Sequence, residues 1–149
     1  MDEHTILMTS ENELSPIILV VEDVHETRDG IETLLTADRY RVNAARDERY
    51  AIESAQRTKP DLILISLAGS PQEVAVSALR IRQGAEVEEG VPVVVFCIDE
   101  IDEGDEIAIG KNVHLTRPDN FNQLRSLIAR LLNRNAIPLT VETITSGSK

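Results

Sequence analysis

Glu22 and Asp23 are adjacent carboxylates that directly follow an unbroken apolar run, Ile17 to Val21. Ser66 stands at the end of a second such run, Leu62 to Ile65, and Cys97 near the end of a third, Val91 to Ile98. A fourth, shorter run, Val113 to Thr116, ends on Arg117-Pro118. These residue types could do chemistry together. Paired carboxylates hold a hard cation or accept a two-pronged guanidinium. A hydroxyl or thiol is a nucleophile when a base activates it. Everything depends on whether the fold brings the ends of the four runs to one place.

Short continuous apolar runs between turn signals predict strands buried on both faces, as in a parallel sheet. A weaker alternation at Tyr40–Ala45 predicts a fifth, more exposed strand. Between the strands the apolar residues switch to helical spacing: Ile31, Leu34 and Leu35 within 27–37, then Ala51, Ile52 and Ala55 within 48–58 behind an Asp47 cap. Val74, Ala78 and Ile81 mark a helix over 72–83, and Leu124, Leu127, Ile128, Leu131 and Leu132 mark the last one, with the clearest period in the chain. The acidic run Asp99–Glu106 contains Gly104, so any helix between it and Ile109 is short and weak. Alternating strands and helices with short connections imply parallel β-α units joined by right-handed crossovers. In such sheets sites form at the carboxyl ends of the strands. Glu22, Asp23, Ser66 and Cys97 therefore meet in one crevice, with Arg117 beside them.

The chain of 149 residues is one domain's worth, large enough for a core that must be aliphatic, since aromatics make up only 3%. Residues 1–14 read as a mobile leader, 15–133 as the folded domain and 134–149 as a flexible tail. A net charge of −11 argues against nucleic-acid binding, which neutralises phosphates with basic residues. No run approaches the length of a membrane span, and the acidic start lacks the order of a signal peptide. The single cysteine permits no internal disulfide and suits a reducing cytoplasm.

In order and spacing, Ile-Leu-Val-Val-Glu-Asp (18–23), Lys-Pro-Asp-Leu-Ile-Leu-Ile (59–65), Val-Pro-Val-Val-Val (91–95) and Leu-Thr-Arg-Pro (115–118) resemble the receiver domains of two-component response regulators. The resemblance covers about residues 16–133. It implies a flavodoxin-like three-layer α/β/α sandwich with a five-stranded parallel sheet of order 2-1-3-4-5. It also implies an acidic pair that helps hold Mg²⁺, and an aspartate that takes a phosphoryl group from a histidine kinase. Carried over position by position, Glu22 and Asp23 fall on the acidic pair and Ser66 on the phosphoacceptor aspartate. Cys97 falls on the hydroxyl that contacts the phosphoryl group, Arg117 on the lysine that pairs with it, and His114 on the aromatic switch position. Pro118 falls on the proline whose peptide bond is usually cis.

Three of these positions have changed, with consequences for the chemistry. Aspartyl-phosphate formation needs a carboxylate, and serine offers a hydroxyl with no histidine base in the pattern. Mg²⁺ loses one acidic ligand, so its binding is expected to be weak and is not required. Arg117 keeps the lysine's charge but not its point-like geometry, and Cys97 is a poor donor. Glu22 and Asp23 are read as neutralised by Arg117, in preference to a residual metal site.

The expectation is a stand-alone, non-enzymatic pseudo-receiver that works by protein–protein contact with a histidine kinase or a separate effector. Its docking face would be about Glu100–Ile109, His114 and the outer side of Asn122–Asn133, and that face leaves homodimers open. An active phosphorelay receiver using Asp23 with Mg²⁺ is the alternative. A small ligand-binder on the same fold is more remote, because two carboxylates stand where a phosphate loop would be. Asp23-Val24-His25 is also similar to the start of a cobalamin-binding motif, but Arg28 replaces the glycine that motif needs.

Overall fold

The computed structural model describes residues 15–97 and 101–136, with side chains to Asn133. The elements are β1 (Ile17–Glu22), α1 (His25–Ala37), β2 (Arg41–Ala45), α2 (Glu48–Arg57), β3 (Leu62–Ser66), α3 (Pro71–Gly84), β4 (Val93–Phe96), β5 (Glu106–Ala108), β6 (Val113–Thr116) and α4 (Phe121–Ala136). The predicted leader and most of the predicted tail lie outside the described residues, although α4 continues to Ala136, three residues beyond the predicted end of the domain.

The sheet order is β2-β1-β3-β4-β6-β5. The first five are parallel neighbours, as the flavodoxin-like reading requires. The sixth is not in that reading: β5 pairs antiparallel to β6 at the sheet's edge. The expected five-stranded sheet is therefore corrected to six strands. The reason is local. Ile107 and Ile109, two apart, lie on one side of the 105–109 segment, and Gly104 and Gly110 flank it at φ +91° and +99°. Those left-handed positions turn the chain into and out of a short strand, where glycine is the least strained residue.

Alternate sheet residues face opposite layers. Leu19, Val21, Ile63, Ile65, Val93, Val95, Val113 and Leu115 pack with α2 and α3. Ile18, Val20, Leu62, Leu64 and Val94 pack with Ile31 and Leu35 of α1 and the leucine stripe of α4. Burial on both faces explains why the strands are continuous apolar runs rather than alternating ones.

Side-chain caps mark the starts of α2, where Asp47 accepts from the Tyr50 N–H, and of α3. Ser70 and Glu73 form a reciprocal capping box with Pro71 in the first turn of α3, an arrangement in which losing the serine typically costs about 1 kcal/mol. Gly69 precedes it at φ +132°, where an added Cβ would come within 3.0 Å of the Glu73 carboxylate. The short Leu67–Gly69 link thus fixes where β3 stops and therefore where Ser66 sits. At the opposite end of the sheet, Arg82 is buried and donates to Lys111 O at 2.6 Å and Val91 O at 2.7 Å. It ties two loops to the last turn of α3. Its Nε finds no partner, and burial lowers its pKa.

Candidate functional site

The carboxyl ends of β1 and β3 place Glu22 directly beside Ser66 in the parallel register. Glu22 is buried, Ser66 half-buried and Asp23 exposed. Cys97 follows β4 as a buried thiol, and its N–H donates to Thr116 O at 2.9 Å. Its sulfur lies 3.9 Å from Val95 O, a weak contact. Glu22, Asp23, Ser66 and Cys97 thus lie at the same end of neighbouring strands.

The Glu22 carboxylate folds back on its own loop: Oε2 accepts from the Val24 N–H at 3.0 Å. Val24 is the N-cap of α1 and offers no side-chain cap, so the buried carboxylate satisfies a backbone donor there and lies where the helix dipole favours negative charge. The cation nearest this turn is Arg28. Its Nη1 donates to Glu22 O at 2.7 Å, and Nη2 lies 3.2 Å from His25 Nδ1. Arg28 also lines an open groove with Ala44, Ala45, Arg46 and Tyr50. Sequence reading missed it, because its only signal is its place in the first turn of the helix that follows the acidic pair.

Arg117 does not do what was expected of it. Nη1 donates to Ile101 O at 3.0 Å, and among the described residues no ion pair joins it to Glu22 or Asp23. Its backbone is held by the turn before β5: Arg117 N–H donates to Asp105 O at 3.1 Å, and Gly104 N–H donates to Arg117 O at 2.6 Å. Those bonds continue the edge ladder past β6 and hold Arg117 toward the 101–105 segment. No cis peptide occurs among the described residues, so the cis bond expected before Pro118 is also corrected.

His114 is half-buried on β6, opposite Ala108 of β5, with Nε2 2.8 Å from Asn112 Oδ1. It is not on the sheet edge, because β5 covers that side. Glu106 accepts from Arg130 at 2.9 Å and from Gln123 at 3.1 Å. Partial burial works against ionisation there, but these donors, with Arg130 and His114 charge nearby, hold the carboxyl below the usual glutamate range.

Mg²⁺ at this end of the sheet would have to use Glu22, Asp23 and the Ser66 hydroxyl. One oxygen of Glu22 is already committed to Val24, and among the described residues no three His, Cys, Asp or Glu side chains converge to hold a metal ion. This donor set fits poorly with a hard octahedral cation that favours several carboxylate oxygens. The chemistry available is that of a polar, partly charged strand end without a carboxylate acceptor on β3. Among the described residues, no helix is long and apolar enough to cross a membrane.

No family model matches the chain. The transcriptional regulatory protein KdpE of Staphylococcus aureus is 30% identical over 121 residues, 80% of this chain and 50% of that protein. The KDP operon transcriptional regulatory protein KdpE of Escherichia coli is 30% identical over 123 residues, 80% of this chain and 52% of that protein. The chain therefore spans about half the length of these relatives. Among solved structures, the receiver domain of the sensor histidine kinase PA1611 from Pseudomonas aeruginosa, with a magnesium ion in its active-site cleft, superposes with a TM-score of 0.58. It is 25% identical, and the match covers 80% of this chain and 98% of that one. The chain is thus similar to these regulators over one half of their length, and it shares the fold of receiver domains.

Proposed function

We propose that this receiver-like domain signals by protein–protein contact, without phosphorylation at Ser66 and without catalysis of its own. The observation that carries the reading is the register of β1 and β3: a serine stands beside buried Glu22 where the resemblance calls for the acceptor carboxylate. The engaged Glu22 oxygen and an Arg117 guanidinium committed to Ile101 O support it, since neither is free to meet a phosphoryl group. Mg²⁺ binds weakly if at all in this reading. The partner is a histidine kinase or a separate effector in the cytoplasm. It is not nucleic acid, given the charge of −11. The test is incubation of the full chain with a small-molecule phosphodonor and Mg²⁺, followed by intact-mass spectrometry. The expected outcome is no gain of mass. A hydroxylamine-labile acyl phosphate would overturn the reading.

Asp23 is exposed at the carboxyl end of β1, which favours a second reading: an active receiver with that carboxylate as acceptor. The same experiment on Asp23→Asn separates the two, because an acyl phosphate lost in that variant assigns the acceptor.

A further inference from the structure

The groove that Arg28 shares with Ala44, Ala45, Arg46 and Tyr50 encloses about 250 Å³. It draws on the first turn of α1, the end of β2 and the start of α2. Its two cations are held in place by neutral groups. Arg28 Nη1 donates to Glu22 O at 2.7 Å, and Nη2 lies 3.2 Å from His25 Nδ1. Arg46 Nη2 donates to the Tyr50 hydroxyl at 2.6 Å, and the guanidinium stands 4.2 Å from the centre of the Tyr50 ring. Among the described residues, neither arginine forms an ion pair.

Neighbouring arginines differ. Arg49 also stands over the Tyr50 ring, at 5.8 Å, but pairs with Glu53 at 3.7 Å. In a second groove, beside Asp38 and Tyr40, Arg125 donates to both Asp38 oxygens at 2.7 and 2.8 Å. Acids close in the chain to Arg28 and Arg46 have other partners: Asp29 meets His25, Asp47 accepts from the Tyr50 N–H and Glu48 accepts from Arg80. The groove thus sets two ordered, unneutralised guanidinium groups around one space, in a chain whose net charge is −11.

We propose that this groove binds a small phosphate dianion, as the free ion or as a monoester. Guanidinium forks match phosphate oxygens in a two-pronged way. A phosphate monoester carries a charge of about −1.5 to −2 and three strong acceptor oxygens, enough to serve both arginines, whereas a single carboxylate would neutralise one. The Tyr50 hydroxyl accepts from Arg46, so its own proton is left to donate. The short side chains of Ala44 and Ala45 leave the room. That room is just below the roughly 300–1,000 Å³ of pockets for drug-sized ligands, and so suits a smaller group. The groove lies on the β2 side of β1 and Ser66 on the β3 side, so this site is separate from the strand end that the resemblance marks for phosphoryl transfer. It goes beyond the signalling reading and does not depend on Ser66.

Titration calorimetry of the full chain with inorganic phosphate and with glycerol phosphate, at ionic strength fixed with chloride, tests the idea. The expected result is saturable, one-site binding with a Kd on the order of 1 mM. Arg46→Gln and Arg28→Gln should each weaken it about tenfold, and Tyr50→Phe by a smaller factor. Arg125→Gln removes the same charge from the other groove and should leave the Kd unchanged. Circular dichroism would confirm each fold, and Arg46 is exposed, so its replacement disturbs no packing. Tighter binding of the ester makes the ligand a monoester, and equal affinities make it the free ion. Failure to saturate, indifference to Arg46→Gln, or an equal loss in Arg125→Gln overturns the proposal. A phosphoserine peptide that binds at least about tenfold more tightly than either probe overturns the small ligand in favour of a protein partner. Neither probe is an activated phosphodonor, so the outcome is separable from the mass experiment on Ser66.

Discussion

Ser66 and Thr116 are the residues whose chemistry is most out of step with their places. Restoring a carboxylate by Ser66→Asp would set a second negative charge beside buried Glu22 in the strand register. Without Mg²⁺ the variant should lose about 1 kcal/mol, read as a lower Tm, and millimolar-range Mg²⁺ should recover that loss while leaving the wild-type Tm unmoved. An equal rise in both proteins would show that the existing donors already hold the ion. Thr116 is fully buried on β6 and its hydroxyl has no partner. Thr116→Val keeps the shape and removes the orphan, so it should be neutral or stabilise by up to about 1 kcal/mol, measured by chemical denaturation. The sequence made the position of Ser66 legible, because a buried run ending in a turn has few places to stop. The direction of Arg117 was not legible, because it follows from backbone bonds to Gly104 and Asp105, residues that read only as an acidic loop.

At the scale of elements, two ion-bearing contacts hold the α2–α3 layer. Glu48 accepts from Arg80 Nε at 2.7 Å and from Ser77 Oγ at 2.7 Å. The Arg80 hydrogen bond leads the causes that lower the Glu48 pKa below its ordinary 4.5. A carboxyl depressed in the folded state stabilises fully above the unfolded pKa and loses that contribution as pH falls through the folded value. Stability should therefore drop on acidification below about 4.5, and Glu48→Gln should flatten that acid limb in a pH series of urea midpoints. Arg82 acts deeper. Replacing it with Met leaves Lys111 O and Val91 O without their donor and should cost about 3 kcal/mol, seen as a lower denaturation midpoint at unchanged slope. The helices and parallel strands were readable from periodicity, α4 most of all. β5 was not, because three exposed residues at the end of an acidic stretch carry too little pattern to compete with a loop. Its presence is fixed by pairing with β6, a contact between segments.

The whole molecule carries a charge of −11, which bears on any meeting of two copies. Their long-range repulsion is screened over a Debye length of about 8–10 Å at moderate salt. Association should therefore strengthen from low to moderate ionic strength, and sedimentation at two salt concentrations would detect it. A protein docking through a basic surface would weaken over the same range. The edge strand has one more consequence. With β5 laid along β6, His114 and the backbone of β6 lie one strand inside the sheet, so the backbone offered to a neighbour at this flank is that of three residues. An edge that short gives a passing chain few hydrogen bonds, and so closes the sheet more than it extends it.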